Sequence, residues 1–329
     1  MSQETVIRLE NLSREFKVNH LQGWRQYLSY LVGKSTGEKI IRALDCVTLN
    51  IHHGEKVGLI GLNGAGKSTL VKCLTGILRP TSGKSFLFGQ DSYRYRQHNN
   101  ARIGVVFGQR CQLRWDLSPM ESYRLLAAMY GISRNDCQES IDRLVELLGL
   151  RDFIHQPVRS LSLGQKMRSE LASAFLHNPD IVILDEPTLG LDMMAKERIW
   201  TFLKNCDKTI LMTSHDISDI EEVCARVVVL NNGKILFDGC RETLAAKLGT
   251  PGRAVFEFGN ENIVFDATQF DANDIRLLSA EPHNAEFALR NSRMLPSLIN
   301  HLTADNHIID IQVFENDLKQ LVKRLYDSA

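Results

Sequence analysis

The chain has 329 residues, enough for one large domain with a smaller companion. Its 39 Lys and Arg residues balance its 39 Asp and Glu residues, which argues against a dedicated nucleic-acid-binding protein. No apolar run approaches the ~20 residues of a membrane-spanning helix, and the opening MSQETVIRLE lacks the layout of a secretory signal. Seven scattered cysteines without a C-x-x-C pair predict neither a disulfide framework nor a zinc site. We therefore expect a cytoplasmic protein, soluble or peripheral to a membrane.

Two segments near the start alternate apolar and polar residues, TVIRL (5–9) and ALDCVTLNI (43–51). This alternation predicts half-exposed strands that form an antiparallel edge. Between them, residues 17–40 read as an insertion, in which Trp24, Tyr27, Leu28 and Leu31 have the spacing of one helix face. An amphipathic cover over the sheet edge is one of two equal interpretations of this insertion; the other follows from a resemblance given below.

From Lys56 onward, short apolar runs alternate with helical stretches, which predicts a mainly parallel sheet covered on both faces. A helical subdomain is expected at about 110–162, because SPMES (118–122) is a capping box with proline at the first helical position. RVVVLNNGKILFDG (226–239) predicts a hairpin. The predicted domains are 1–249, an α/β domain, and 250–329, a small α+β domain. The second has strands at AVFEF (254–258) and NIVF (262–265) and helices near 295–302 and 318–325.

The segment GLNGAGKST matches the phosphate-binding pattern G-x-x-x-x-G-K-S after a strand and at the start of a helix. Its glycines allow a tight loop whose backbone N–H groups point inward, and the helix N-terminus adds positive potential. Lys67 is expected to reach the β and γ phosphates, Ser68 to bind Mg²⁺, and Thr69 to support the α and β phosphates. The predicted nucleotide-binding residues here are Gly61, Leu62, Asn63, Gly64, Ala65, Gly66, Lys67, Ser68 and Thr69.

IVILDE (181–186) places two carboxylates at the end of a buried strand, where open parallel sheets bind ligands. Asp185 suits a Mg²⁺ partner, and Glu186 is predicted to orient or deprotonate a water for attack on the γ-phosphate. Two other apolar strands end in Gln109 and His215. Their shared position beside the phosphate loop makes them candidate site residues, whereas a lone histidine there is more often structural.

The segment RSLSLGQKMRSEL (159–171) has two readings. Ser162 and Gln165 have the spacing of a capping box, and Met167, Leu171 and Phe175 recur every fourth residue, as in an amphipathic helix. The same N-terminus, with free N–H groups and a serine hydroxyl, is also able to bind an anion. From these residues alone, the capping reading is favoured.

The phosphate loop, Gln109, LSLGQ (161–165), ILDE (183–186), LGLD (189–192) and His215 occur in the order found in ATPase subunits of ATP-binding-cassette (ABC) transporters. The chain resembles that family over about residues 5–245. The resemblance implies a P-loop ABC ATPase that binds ATP and Mg²⁺ and dimerises, with itself or a related subunit, around two ATP molecules. In such a dimer, Ser162, Gly164 and Gln165 contact the γ-phosphate held by the other subunit.

The resemblance also assigns roles to single residues. Asp192 is similar to the aspartate that joins the two sites, Gln109 to the glutamine that senses Mg²⁺ and nucleotide, and His215 to the histidine that senses the γ-phosphate. Phe16 is the candidate for the aromatic that stacks on adenine, with an ordinary strand residue as the equal alternative. We predict Glu186, His215 and Gln109 as catalytic residues, and Ser68, Gln109 and Asp185 around the metal.

A narrower resemblance links VFGQRCQLRWDLSPMES (106–122) and the segment 157–192 to a poorly characterised group of bacterial export-type ABC transporters. Leu163 replaces the family's commoner glycine, and Arg114 stands where that group tends to carry tryptophan. Insertions like 17–40 resemble those of polysaccharide exporters, where the element lies near the membrane partner. The implied function is an ATPase on the cytoplasmic face of the inner membrane that drives separate integral membrane permease subunits, with no nucleic-acid partner. The alternatives are an importer ATPase with a regulatory C-terminal domain and a soluble ABC ATPase without a transport role.

Overall fold

The computed structural model describes residues 4–19, 38–108, 111–248, 252–261, 263–271, 274–289, 294–314 and 317–328. Its contacts divide the chain into two compact units, 1–238 and 239–329. The helix Arg241–Lys247 belongs to the second unit, whereas the predicted boundary at 249/250 assigns it to the first domain.

The first unit begins with an antiparallel sheet whose strand order is β2-β1-β4-β5. Its strands are β1 (Thr5–Asn19), β2 (Glu38–His52), β4 (Ser82–Leu87) and β5 (Gln90–Asp91). The predicted antiparallel edge is confirmed and is longer than expected, because β1 and β2 remain paired up to Asn19 and Glu38. The ends of the predicted insertion thus extend a hairpin, and the helix predicted from Trp24 to Leu31 lies outside the described residues.

A six-stranded sheet forms the centre of this unit, in the order β10-β9-β3-β8-β7-β6. Its strands are β3 (Lys56–Ile60), β6 (Ile103–Phe107), β7 (Ile181–Asp185), β8 (Thr209–Ser214), β9 (Arg226–Asn231) and β10 (Lys234–Gly239). Strands β6, β7, β8, β3 and β9 are parallel, and β8 is buried along its whole length. Parallel strands place their carboxyl ends at one edge, so the segments after β3, β6, β7 and β8 meet there.

Seven helices accompany these sheets in the described part of the first unit: α1 (Lys67–Leu74), α2 (Arg96–Asn100), α3 (Pro119–Tyr130), α4 (Arg134–Leu148), α5 (Leu163–Phe175), α6 (Met193–Asn205) and α7 (Ile217–Val223). The predicted capping box at the start of α3 is confirmed, because the Glu121 N–H donates to Ser118 Oγ and the Ser118 N–H donates to the Glu121 carboxylate. Helices α3 and α4 lie within 110–162, the range of the predicted helical subdomain.

Helix α5 is attached to its neighbours at several points. A Cβ added at Gly104 in β6 would lie 2.2 Å from the carbonyl oxygen of Ala174, so the strand and the helix backbone approach as closely as glycine permits. The buried Tyr123 hydroxyl of α3 donates to the carbonyl oxygen of Ser169 at 2.9 Å. The position of α5 is therefore set by both the central sheet and the helical subdomain.

The second unit contains α8 (Arg241–Lys247), a four-stranded antiparallel sheet in the order β12-β13-β11-β14, and two further helices. The strands are β11 (Gly252–Phe258), β12 (Ile275–Glu281), β13 (Asn284–Leu289) and β14 (Ile308–Phe314), and the helices are α9 (Leu295–Asp305) and α10 (Leu318–Asp327). Leu298 and Leu302 of α9 pack on an aromatic core, in which the Phe256 and Phe287 rings meet edge to face.

The strand predicted at NIVF is wrong for residues 263–265, which the structure describes without strand pairing. Instead, the Asn306 side chain accepts from the Val264 N–H at 2.8 Å and donates to the Val264 carbonyl oxygen at 2.8 Å. Because one amide side chain satisfies both backbone groups, the apolar residues Ile263 and Phe265 reach the core without a partner strand.

Candidate functional site

A cavity of about 610 Å³ opens at the carboxyl edge of the central sheet, beside the loop that joins β3 to α1. All residues from Leu62 to Thr69 line it. Gly64 and Gly66 have φ angles of 84° and 109°, in the left-handed region that favours glycine. A Cβ added at Gly66 would lie 2.4 Å from the Ala43 carbonyl oxygen, so a larger residue there would displace β2. The loop thus requires glycine for its conformation and for its packing.

The N-terminus of α1 is open toward this cavity. Its N-cap, Gly66, has no side chain to cap the helix, and the first N–H groups of a helix have no partner within it. Lys67 is only 6 % exposed, and its Nζ donates to the carbonyl oxygens of Gly61 at 2.6 Å and Leu62 at 3.4 Å. Burial lowers the pKa of Lys67, and Glu186 and Asp185 raise it by a smaller amount. Free backbone donors and a buried cation make this end a site for a phosphate chain.

Asp185 ends β7 and lines the same cavity. The Thr213 hydroxyl of β8 donates to Asp185 Oδ1 at 2.7 Å, and the Gly108 N–H donates to the Asp185 carbonyl oxygen at 2.8 Å. The first hydrogen bond fixes the carboxylate and the second fixes the backbone of Asp185, while the second carboxylate oxygen has no hydrogen bond to another described group. A fixed carboxylate with one open oxygen is suited to a divalent cation and its water shell.

Glu186 has an unusual backbone conformation, with a φ angle of 54°. Such a left-handed conformation is unfavourable for a residue with a Cβ, and it persists where surrounding contacts enforce it. Here the Glu186 N–H donates to both the carbonyl oxygen and the hydroxyl of Thr213, each at 3.1 Å. The carboxylate lies 3.7 Å from His215, between Oε2 and Nδ1, and both side chains line the cavity. The strained turn therefore directs a carboxylate and an imidazole toward the phosphate loop.

The chemistry of these donors fits a nucleotide and Mg²⁺. A magnesium ion in a nucleotide site is bound by one or two protein oxygens, the phosphates and water, and Ser68 and Asp185 both line the cavity. Helix α1 and Lys67 supply the positive potential that a triphosphate requires. The cavity can therefore hold the nucleotide that the sequence predicts.

Ser162, Gly164 and Gln165, here called the signature residues, lie at the N-terminus of α5, the signature helix, and Asp192 lies at the N-terminus of α6. Their capping box is confirmed: Ser162 Oγ accepts from the Gln165 N–H at 3.2 Å, and the Ser162 N–H donates to Gln165 Oε1 at 2.8 Å. Asp192 caps α6 by accepting from the Ala195 N–H at 2.9 Å. The two helix starts are in close contact, because a Cβ added at Gly164 would lie 3.1 Å from Ala195 Cβ.

Leu163, where glycine is commoner in the family named above, has a defined environment. A Cβ added at Gly190 would lie 3.1 Å from Leu163 Cδ2, so the leucine side chain packs against the turn that leads to α6. Half of Leu163 remains exposed, at 51 %. The substitution is thus accommodated at the surface, and Ser162 and Gly164 keep their places at the helix start.

The predicted site residues therefore fall into two groups. The cavity brings together residues 62–69, Asp185, Glu186 and His215, whereas Ser162, Gly164, Gln165 and Asp192 are not among the residues that line it. Phe16 does not line it either; it pairs with Ile41 across the hairpin, and the Arg14 guanidinium lies over its ring at 4.7 Å. Gln109 lies outside the described residues.

Sequence reasoning missed several residues that shape this edge. Thr213 forms hydrogen bonds with both Asp185 and Glu186. The only sequence signal for this role is its hydroxyl, which lies two residues before His215 at the end of a strand. Buried Asp219 accepts from the Thr188 hydroxyl at 2.5 Å and from the Ser214 hydroxyl at 3.1 Å, and it pairs with Lys196 at 3.0 Å. This network ties the turns after β7 and β8 to α6 and α7.

Comparison with known proteins gives a consistent assignment. The family model described as ABC transporter matches residues 44–189. The chain is 32 % identical over 210 residues to the ABC transporter ATP-binding protein NatA of Bacillus subtilis, a match that covers 63 % of this chain and 85 % of NatA. This chain belongs to the ABC transporter ATP-binding family. It is also 36 % identical over 218 residues to Nod factor export ATP-binding protein I of Paraburkholderia xenovorans, covering 65 % of this chain and 71 % of the relative.

Solved structures confirm the predicted α/β P-loop fold of this ABC ATPase. One similar structure is a dimeric ATP-binding cassette in a post-hydrolysis state bound to ADP and Pi. It is 26 % identical, has a TM-score of 0.59, and the match covers 71 % of this chain and 98 % of the cassette. The chain is thus an ATP-binding ABC ATPase, as the motifs predict. Among the described residues, no helix combines the length and apolar character needed to cross a membrane.

Proposed function

We propose that two copies of this ABC ATPase, or one copy and a related subunit, close head to tail around two ATP molecules and hydrolyse them to drive an exporter. The observation that carries this proposal is the separation of the two groups of site residues. Ser162 and Gly164 lie at a helix start with Ser162 exposed, but they do not line the phosphate cavity of their own chain. A second subunit is needed to bring a signature helix to each bound γ-phosphate. The dimeric ATP-binding cassette with ADP and Pi supports this arrangement by similarity.

The proposed chemistry follows from the positions of the cavity residues. Lys67 and the first N–H groups of α1 bind the β and γ phosphates, and Ser68 and Asp185 hold Mg²⁺, which neutralises charge on the phosphates. Glu186 positions a water in line with the γ-phosphate and accepts its proton. His215 lies beside Glu186 and contacts the γ-phosphate. Hydrolysis then releases the contact between Ser162 and the phosphate, and the subunits separate.

The transport direction and the partners are inferred from relatives. Nod factor export ATP-binding proteins are named for export, and this ABC ATPase is 36 % identical to one of them. We therefore propose export, through separate integral membrane permease subunits, by a protein bound peripherally at the cytoplasmic face of the inner membrane. An importer ATPase or a soluble ABC ATPase remains the competing function, and neither has a specific observation in its favour.

Co-purification tests the proposed function. Tagged Glu186→Gln protein is purified from detergent-solubilised native membranes with ATP and Mg²⁺, and the Lys67→Ala variant serves as a control with weakened nucleotide binding. We expect polytopic membrane proteins in the Glu186→Gln sample and fewer of them in the control. Ribosomal or DNA-associated proteins without a membrane partner would overturn the transport function, and a partner set that includes a substrate-binding protein would favour import.

We also propose that residues 250–329 form an accessory domain that assists dimerisation or regulates hydrolysis. The phosphate cavity is lined by residues between 43 and 215, and the second unit has its own core around Phe256 and Phe287. Ending the chain after Gly239, at the close of β10, removes this unit. We expect a changed ATPase rate or weaker ATP-dependent dimerisation, measured by steady-state assay and light scattering once thermal unfolding shows a folded product. Unaltered values of both would show that the unit is a stabilising appendage.

A further inference from the structure

Glu170 is a buried carboxylate in the middle of the signature helix α5, and neither the motifs nor the proposed chemistry use it. It is 4 % exposed. It lies eight residues after Ser162 in the sequence, which corresponds to about 12 Å along a helix. An ionisable group that is buried at this depth requires partners, because removing a carboxylate from water costs several kcal/mol.

Its partners all come from one short segment. Glu170 Oε1 accepts from the Cys111 thiol at 2.7 Å, the Gln112 N–H at 2.7 Å and the Leu113 N–H at 3.0 Å. The other oxygen, Oε2, is buried and has no hydrogen-bond partner among the described residues. Burial raises the pKa of Glu170, while the three hydrogen bonds lower it by less. Burial also raises the pKa of Cys111 to about 12, so the thiol keeps its proton and remains a donor.

The segment 111–113 connects Glu170 to the central sheet. It follows β6 after a short stretch of sequence, and the Gln112 side-chain amide donates to the Val105 carbonyl oxygen of β6. Strand β6 ends beside Asp185, to which Gly108 donates a backbone hydrogen bond. A chain of polar contacts therefore runs from the cavity edge through β6 and residues 111–113 to the middle of α5.

The attachment at Glu170 lies between two other contacts of α5. Toward its C-terminus, α5 packs against Gly104 of β6 through the Ala174 backbone, and at its N-terminus Gly164 packs against Ala195. The two outer contacts are van der Waals packing of small groups, whereas the contact at Glu170 consists of three directional hydrogen bonds. Hydrogen bonds to a charged acceptor are stronger and more directional than neutral ones. Glu170 thus fixes α5 relative to the segment that leads to the cavity edge, whereas Tyr123 and Arg168 bond α5 to the helices at 119–148 and the turn after them.

We propose that Glu170 is a positioning residue, which locks residues 111–113 to the signature helix so that Ser162 is presented at the correct position for the γ-phosphate bound by the other subunit. This inference rests on the ATP-dependent dimer of the proposed function. Glu170 does not line the phosphate cavity, and it acts through α5. Its loss leaves the phosphate cavity of the same chain intact and disturbs the closed dimer.

The test separates nucleotide binding from closure in the full-length chain. Glu170→Leu removes the acceptor, and Glu170→Gln keeps an oxygen of the same shape as a conservative rescue. Ser169→Ala is the matched control, because the Ser169 hydroxyl donates only within α5, to the Gln165 carbonyl oxygen. Each change is measured for ATP affinity and for kcat. Each is also combined with Glu186→Gln and measured for ATP-dependent dimerisation.

We expect Glu170→Leu to lower kcat by roughly 10- to 100-fold, because a misplacement of about 1 Å in a positioning element has effects of this size. The ATP affinity of Glu170→Leu should match that of the unchanged protein, whereas its ATP-dependent dimerisation should weaken. In kcat and in dimerisation, Glu170→Gln should fall between Glu170→Leu and the unchanged protein. Ser169→Ala should change neither kcat nor dimerisation. If Glu170→Leu does not fold, Glu170→Gln carries the test. If neither Glu170 change affects dimerisation or kcat, this inference is overturned and the proposed dimer stands. A Glu186→Gln protein that forms no dimer with ATP overturns the proposed dimer and this inference together.

Discussion

Replacing Glu186 with Gln should lower kcat for ATP hydrolysis by about 10²- to 10⁴-fold, the usual contribution of a positioned general base. Gln has the shape of Glu, so the left-handed turn held by the two hydrogen bonds from the Glu186 N–H to Thr213 should persist. The amide cannot accept the proton of the attacking water. The ATP dissociation constant should therefore change little, because the groups that bind the phosphates are on the loop and α1.

The measurement is a steady-state phosphate-release assay alongside equilibrium ATP binding to the same preparation. Glu222→Gln is the matched control, since Glu222 is a half-exposed carboxylate that pairs with Lys204 and does not line the cavity. Unchanged turnover in Glu186→Gln would show that another group acts as the base. Equal losses of turnover and ATP affinity would show that Glu186 serves binding instead.

Replacing Lys67 with Ala should weaken ATP binding by roughly 10- to 150-fold, because a hydrogen bond to a charged group contributes about 1.5–3 kcal/mol. Lys67 is buried, and its Nζ is held beside the phosphate loop by the carbonyl oxygens of Gly61 and Leu62. The substitution removes the cation from the phosphates themselves. Equilibrium binding of ATP measures the effect, and Lys204→Ala, whose side chain does not line the cavity, is the control. ATP affinity equal in both variants would contradict the assigned role.

The pH dependence of binding gives an independent check on Lys67. Burial lowers its pKa from the ordinary value of 10.5, and the phosphates of bound ATP favour the charged form. The contribution of Lys67 to ATP binding is therefore complete below the pKa of Lys67 in the ATP-free protein, and it is lost as the pH rises from that pKa through the higher pKa of the ATP-bound protein. We expect the ATP dissociation constant to increase with pH in the alkaline range, above the titration of the γ-phosphate, and Lys67→Arg to remove the dependence. If the ATP dissociation constant of the unchanged protein does not vary with pH in this range, a lowered pKa for Lys67 is contradicted.

The two groups of site residues were predictable to different degrees. Residues 62–69 could be assigned from sequence because a glycine-rich loop, a helix N-terminus and a lysine all lie within one short segment. Ser162 with Gln165 could likewise be assigned as a capping box, because its hydrogen bonds join residues three apart. The family resemblance implies that Ser162 serves the other subunit's nucleotide, and only the structure shows that Ser162 does not line the phosphate cavity of its own chain.

The second unit shows where sequence patterns stop being informative. Its helices α9 and α10 were predicted from apolar spacing that the structure bears out, with Leu298, Leu302, Leu318 and Leu321 all buried. The segment 263–265 was misassigned, since an isolated apolar run has the same pattern whether it pairs with a strand or with a side chain. Asn306, whose side chain forms hydrogen bonds with both backbone groups of Val264, lies 42 residues away in sequence.

The sequence by itself determined the class of protein, the phosphate loop, the caps of α3 and α5, and the parallel character of the central sheet. Each of these depends on interactions between residues a few positions apart or on runs of side chains that one element buries. Only the tertiary structure decided that Thr213 holds Asp185, 28 residues away, and that Glu170 holds Gln112, 58 residues away. Such contacts leave no periodic trace in the chain, because they arise where separate strands and helices are brought together by packing.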